Sequence, residues 1–367
     1  MIQTKDLRKI LNKNKINFFT GVPDSVLKSL SDHFQSYSKK KHIIAVNEGS
    51  AVSIGIGYHL SSKKIPCIYL QNSGLGNAIN PLVSVAHNKV YSIPMLLLIG
   101  WRGSLNNKDE PQHITQGKIT PDLLKLLNIN YCILKRKDDL KKLEKLIQFS
   151  KKNFVPVACL IEKGTFERNL KKKKSSKKST LLKRKDFILE LLRQVPKSSK
   201  IISTTGYTSR ELHKIRKEKK LFKGRDFYMV GGMGHSSMVS LGASLHTKKE
   251  IICIDGDGSL LMHLGSIRTI GFAKSPNIKH ILLNNNSHES VGGQKTYAQG
   301  INFKKLTESI GYRHYFKLIK KNKFKSTISK FLNSKGPSFL EVLISKGSFD
   351  NLGRPKNLKK IKKFFMN

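Results

Sequence analysis

Two short turns carry the residues best able to do chemistry. Asp255-Gly256-Asp257-Gly258-Ser259 follows the apolar run Ile251–Ile254, and Asn284-Asn285-Asn286 follows a second run, His280–Leu283. Both runs have the length and apolar character of buried strands. Between them, apolar residues at Leu260, Leu264, Ile267 and Ile270 predict a crossover helix. In a parallel sheet the two turns then lie side by side at the C-terminal ends of their strands, where open α/β sheets bind ligands. One carboxylate and one amide oxygen converging there, with few other hard ligands, suit a Mg²⁺ ion that also takes oxygens from a diphosphate. The plainer reading is a βαβ unit with an ordinary Asp-Gly turn and an Asn-rich loop. The spacing and the flanking strands together favour the metal.

A second candidate lies far upstream. The strand-like run Ile43–Val46 leads into Asn47-Glu48-Gly49-Ser50-Ala51, and small residues continue through Gly57. They predict a helix that packs closely on a neighbour, with Glu48 at its start. A lone Glu there is ordinarily a solvated carboxylate or an aid to the helix N-terminus. Further turns rich in Gly and amides follow other predicted strands: Thr20–Ser25 after Asn17–Phe19, and Gln71–Asn77 after Pro66–Leu70. After the strand Ser92–Ile99 comes Gly100-Trp101-Arg102-Gly103, then Lys108-Asp109-Glu110-Pro111-Gln112-His113. This stretch reads as a long polar loop dense in ionisable groups, and such loops inside compact domains are commonly functional.

The elements that must position these residues alternate strand and helix over 367 residues, enough for two α/β domains. Lys171–Lys178, KKKKSSKK, cannot bury surface and repels itself, so it reads as an exposed linker. The expected division is a first domain at 1–167, a basic linker at 168–185 and a second domain at 186–367. The net charge is +45, yet the lysines run along the whole chain, often as pairs on solvated helix faces. No nucleic-acid-reading motif accompanies them, so the charge reads as compositional drift and no nucleic-acid partner is expected. The longest apolar run, near Ile93–Ile99, is too short to span a membrane, and Met1–Lys15 has no signal-peptide pattern. Cys67, Cys132, Cys159 and Cys253 sit singly in strand-like runs. They read as buried reduced thiols in a cytoplasmic protein, with no disulfide framework or zinc site.

Taken together, GVPDS (Gly21–Ser25), NEGSAV (Asn47–Val52), LQNSGLGNAINPL (Leu70–Leu82), GWRG (Gly100–Gly103), KDEPQH (Lys108–His113), GGMGH (Gly231–His235), GDGS (Gly256–Ser259) and VGGQ (Val291–Gln294) carry a resemblance. The chain resembles the thiamine-diphosphate-dependent 2-keto-acid decarboxylases that act on phosphonopyruvate, and almost as closely the two-subunit sulfopyruvate decarboxylases read end to end. The resemblance implies two doubly wound parallel-sheet domains, one for the cofactor's pyrimidine and one for its diphosphate, with no middle domain. It implies thiamine diphosphate and Mg²⁺ as cofactors, and a homodimer or homotetramer with active sites shared between subunits.

By the same resemblance, Glu48 bonds the pyrimidine, Met233 wedges the cofactor into its bent shape, and the Gly231 carbonyl accepts from its amino group. Gly232, Gly256, Asp257, Gly258, Ser259 and Asn285 complete the cofactor site. Asp257, Asn285 and the Ser287 carbonyl hold the metal, although Asn284 and Asn286 are chemically able to replace Asn285. Asp24, His113 and His288 are the candidates for proton transfer. Asn72, Arg102, Lys108, Gln112 and His113 are the candidates for substrate contact, with Arg102 and Lys108 as clamps for a distal phosphonate or sulfonate. The expected reaction is decarboxylation of 3-phosphonopyruvate to phosphonoacetaldehyde. Sulfopyruvate is the alternative substrate, and a carboligase of the same cofactor class is more remote. Two departures stand out: Gly-Gly-Met-Gly where relatives often have Gly-Ser-Met-Gly, and a triple Asn where Asp-Asn-Gly is common.

Overall fold

A computed structural model describes residues 1–104, 109–167, 180–218, 225–349 and 351–367. The chain forms two compact units, Met1–Lys172 with Val291–Gln294, and Lys173–Ser290 with Lys295–Asn367. In the first unit the strands are β1 (Phe19–Gly21), β2 (His42–Ile44), β3 (Cys67–Gln71), β4 (Met95–Trp101), β5 (Asn130–Leu134) and β6 (Pro156–Glu162). They form one sheet in the order β2-β1-β3-β4-β6-β5, and every pairing is parallel.

Strand β4 explains why its run is apolar without alternation. Leu96 and Leu98 pack into one core with Leu7, Leu11, Leu143 and Ile147, while Leu97 and Ile99 pack into another with Val52, Leu75 and Leu124. Successive side chains point to opposite faces, and helices cover both, so both sets must be apolar.

The second unit holds β7 (Lys200–Ser203), β8 (Arg225–Tyr228), β9 (Ile251–Gly256), β10 (Ile278–Asn284), β11 (His314–Leu318) and β12 (Ser338–Leu343). Their order is β11-β12-β10-β9-β7-β8, again with parallel pairing throughout. Numbered from its own first strand, this is the order of the first unit. In each sheet the winding reverses between the first and third strands, and the crevice beyond such a reversal is where doubly wound folds take ligands.

Several expectations need correction. The polar stretch after β4 is not one long loop: Trp101 belongs to β4, and a helix, Pro111–Leu126, starts at Pro111, whose missing N–H is harmless in a first turn. The crossover between β9 and β10 is broken into Asp257–Met262, a 3₁₀ turn at Leu264–Ser266 and Ile267–Ala273. Of the expected linker only 180–185 is described, and Arg184 already opens the helix Arg184–Gln194. Cys132 is half-buried on β5, at the sheet edge, while the other three thiols are buried. Among the described residues no helix is long and apolar enough to cross a membrane.

Candidate functional site

The chemistry-bearing residues of each unit gather at the C-terminal ends of its strands. In the first unit, Asn47 caps the helix Glu48–Ser62: its Oδ1 accepts from the Ser50 amide at 2.8 Å. That cap fixes Glu48 as the first helical residue. Glu48 is 5 % exposed, and its Oε2 accepts from Asn77 Nδ2 at 2.8 Å. A methyl group on Gly74 would collide with Glu48 Oε1, and one on Gly49 would lie 2.7 Å from the Asn77 carbonyl. The carboxyl therefore occupies a slot that exists because glycine lets two helices approach. Burial raises its pKa, and the Asn77 hydrogen bond opposes the rise only in part. A buried carboxyl that keeps its proton can donate it to an acceptor nitrogen.

Asp24, Asn72 and Arg102 come together at the ends of β1, β3 and β4. Asp24 is wholly buried, and its Oδ2 accepts from the amides of Val26 and Leu27 at 2.8 and 3.1 Å. Its Oδ1 accepts from Gln71, whose Oε1 in turn takes the Ser73 hydroxyl at 2.8 Å. Burial raises the Asp24 pKa against these hydrogen bonds. Asn72 spends its amide on protein: Nδ2 donates to the Arg102 carbonyl and Thr120 Oγ1, and Oδ1 accepts from the Arg102 amide. It is a knot between three segments, with both ends of its amide engaged by protein. The Arg102 guanidinium donates along one edge to both oxygens of Asp109, by Nε at 2.6 Å and by Nη2, and its Nη1 reaches Ser25 Oγ at 3.3 Å. Burial opposes ionisation of Asp109, but the hydrogen bonds from Arg102 and nearby amides hold its carboxyl well below the usual range. An incoming anion would meet a guanidinium whose Nε–Nη2 edge is already taken by Asp109, leaving the Nη1 edge toward Ser25. His113 is buried and Gln112 half-buried on the helix Pro111–Leu126, while Lys108 lies outside the described residues.

In the second unit the two Asp residues of the turn separate. Asp255 points into the sheet, 3.7 Å from His280. Asp257 points to the Asn-rich turn, and its Oδ2 accepts from the Ser287 amide at 3.1 Å and from Thr296 Oγ1 at 2.6 Å. Asn285 Oδ1 accepts from the same Ser287 amide at 3.1 Å, so the two oxygens share one partner. Burial raises the Asp257 pKa to about 6 despite its hydrogen bonds. The three asparagines face different ways. Asn284 is turned to Glu341, at 3.0 Å, and Asn286 has a left-handed φ of 53°. Asn286 Oδ1 and Ser287 Oγ are buried with no hydrogen-bond partner among the described residues, and the Ser287 carbonyl accepts from the Glu289 amide at 2.8 Å. An all-oxygen set, with two further buried oxygens beside it that lack partners among the described residues, fits a hard divalent cation.

Ser259 ties this turn to its neighbours, accepting from Thr204 Oγ1 at 2.9 Å and from the Gly234 amide at 3.1 Å. Gly231 and Met233 are half-buried and Gly232 exposed, in a loop where Gly232 and Gly234 have φ of 59° and 89°. The imidazole of His288 lies against Gly258, where a methyl group would come within 2.7 Å of Cε1. Burial lowers its pKa to about 4, so the ring is neutral at pH 7. Residues that sequence reasoning missed are Gln71, Asn77, Asp109, Thr204, Thr296 and Glu289. Asn77 and Asp109 lay inside quoted motifs, but nothing in local spacing marks them as partners of Glu48 and Arg102.

Comparison with known proteins finds one family match in each part of the chain. Residues 3–126 match the thiamine pyrophosphate enzyme N-terminal TPP binding domain, and residues 204–342 match the C-terminal TPP binding domain. The chain is 31% identical to phosphonopyruvate decarboxylase from Streptomyces viridochromogenes over 377 residues, which cover 97% of this chain and 92% of the relative. It is 27% identical to sulfopyruvate decarboxylase from Methanosarcina acetivorans, over 93% of this chain and 90% of the relative. The sulfopyruvate decarboxylase subunit alpha of Methanococcus maripaludis is 34% identical over 42% of this chain and 90% of its own length.

Proposed function

The chain belongs to the thiamine pyrophosphate enzymes, in the phosphonopyruvate decarboxylase family, and from that premise we propose that it converts 3-phosphonopyruvate to phosphonoacetaldehyde and CO₂. The observation that carries the reading is kinship along almost the whole chain with a decarboxylase of that substrate. Sulfopyruvate is the second substrate to test, because the full-length relative that acts on it is only slightly more distant.

Thiamine diphosphate, when bound, supplies the carbanion and the electron sink that make CO₂ loss from a 2-keto acid accessible. The protein's part is to hold, orient and protonate. Asp257 and Asn285 would hold Mg²⁺ on the diphosphate, with the Ser287 carbonyl as a third donor. Glu48 would share its proton with a pyrimidine nitrogen, which the raised pKa of its buried carboxyl supports. Gly231, Gly232 and Met233 would line the cofactor, while Gly256, Gly258 and Ser259 shape the turn. His288, held neutral, and His113 would serve as proton carriers. Asp24, tied down by two amides and Gln71, would act on the substrate through a shared proton only if Gln71 yields. The Nη1 edge of Arg102 would meet the distal phosphonate.

The active unit is a dimer or larger in this reading, with Glu48 and Asp257 of one site drawn from different subunits. The reading places the enzyme in the cytoplasm, a compartment that keeps thiols reduced. The deciding experiment gives purified protein with thiamine diphosphate and Mg²⁺ phosphonopyruvate, sulfopyruvate and pyruvate side by side, and measures CO₂ and aldehyde. Phosphonopyruvate should have the highest kcat/KM. Equal turnover of pyruvate would remove the distal-anion clamp.

A further inference from the structure

The metal-turn asparagine is itself held by a partly buried charge network that no motif contains. Asn285 Nδ2 donates to Glu289 Oε2 at 3.1 Å. An amide has one oxygen and one nitrogen end, so anchoring Nδ2 on a carboxylate turns Oδ1 the other way, to the Ser287 amide and Asp257. Glu289 is in turn fixed on both oxygens. Its Oε2 also accepts from Arg184 Nη2, and its Oε1 accepts from the Gly347 amide. The Arg184 side chain is 5% exposed, and its Nη1 donates to Glu211 Oε1 at 3.0 Å, where Glu211 is 1% exposed. The Tyr207 ring lies 5.8 Å from the Arg184 guanidinium. A buried arginine between two carboxylates is costly to assemble unless its geometry serves something.

We infer that Glu289, braced by Arg184, is a positioning residue that sets the amide orientation of Asn285 and so presents its oxygen to the metal. The inference rests on the reading of Asp257 and Asn285 as metal ligands. It distinguishes Asn285 from its neighbours on chemistry alone: Asn284 is committed to Glu341, and among the described residues no carboxylate orients Asn286. Partners that orient metal ligands in this way are worth about 10- to 100-fold in affinity.

The test measures Mn²⁺ bound to the full-length chain with thiamine diphosphate, from loss of the free-ion electron paramagnetic resonance signal. Glu289→Ala should weaken Mn²⁺ by about 10- to 100-fold, with the melting midpoint of the cofactor-free protein recorded alongside. A charge swap keeps the idea testable if that variant folds poorly. Asn285→Asp alone sets a carboxylate against Glu289, whereas Asn285→Asp with Glu289→Gln lets the Gln amide donate to the new carboxylate. The double variant should bind Mn²⁺ more tightly than Asn285→Asp alone. Net charge alone orders them the other way, since the double variant is less negative. Wild-type affinity in Glu289→Ala, or a double variant no better than the single one, overturns the inference. Asp257→Ala is the control. If it binds Mn²⁺ like wild type, the ligand assignment itself is wrong and the positioning role falls with it.

Discussion

At the scale of single residues, Glu48 is the side chain whose environment does most to change it. Burial holds its carboxyl above the ordinary value. Its contribution to stability is complete below the unfolded value and falls away as pH rises through the folded value. Glu48→Gln keeps the shape and the acceptor for Asn77 without the ionisation. It should therefore melt higher than wild type at pH 8, with the difference vanishing near pH 4. The same substitution should lower kcat by about 100- to 10,000-fold. A variant that is no more stable at pH 8 would mean that the carboxyl is better solvated than its surroundings imply. Arg102 makes a separate prediction. Replacing the pair together, Arg102→Gln with Asp109→Asn, leaves neither member charged without the other. KM for phosphonopyruvate should rise by about 10- to 100-fold, the loss of a charge-assisted contact, with KM for pyruvate unmoved. Parallel rises in both would assign Arg102 to architecture. At this scale the sequence told little beyond residue type. Asp257 and Asn285 were marked by turns at fixed spacing, but Arg184 and Glu289 lie 105 residues apart, and no local pattern announces that they meet.

At the scale of elements, the slot between the helices Glu48–Ser62 and Leu75–Pro81 is the feature most exposed to mutation. Gly74→Ala puts a methyl group where Glu48 Oε1 lies. Overpacking of this kind costs about 1–3 kcal/mol, and the Glu48 carboxyl must also leave its place. Activity should fall nearly as far as in Glu48→Gln, although position 74 carries no functional group. Full activity in Gly74→Ala would show that the carboxyl has another seat. The strands were legible wherever both faces are covered, as in β4, β9 and β10, because burial on two faces forces uninterrupted apolar runs. Strand β11, His314–Leu318, escaped because it closes the sheet edge and buries only Leu318. The first part of the helix Pro111–Leu126, ahead of Asp122, escaped because its sequence lacks a clear apolar stripe: Gln112, Thr115, Gln116 and Lys118 break the period, and contact with Trp101 at the end of β4 and with Gly103 beyond it seats it instead.

At the scale of the whole molecule, one strand order is used twice and given different chemistry each time. The second strand of the first unit ends at the carboxyl of Glu48, and the second strand of the second unit ends at the glycine loop Gly231–Gly234. If an active site draws on both units from different subunits, two inactive variants can repair each other. Mixing Glu48→Gln with Asp257→Ala, after exchange of subunits, should restore about a quarter of wild-type activity, since half of the dimers are hybrids with one intact site. No recovery would place each site within one chain. The repeated strand order also separates inheritance from function. Solvated faces can drift to a charge of +45 while the sheet interiors stay apolar and the strand ends keep their few polar residues. A scaffold copied in this way ages unevenly, and the part of its history that still matters is written in the short loops just past each strand.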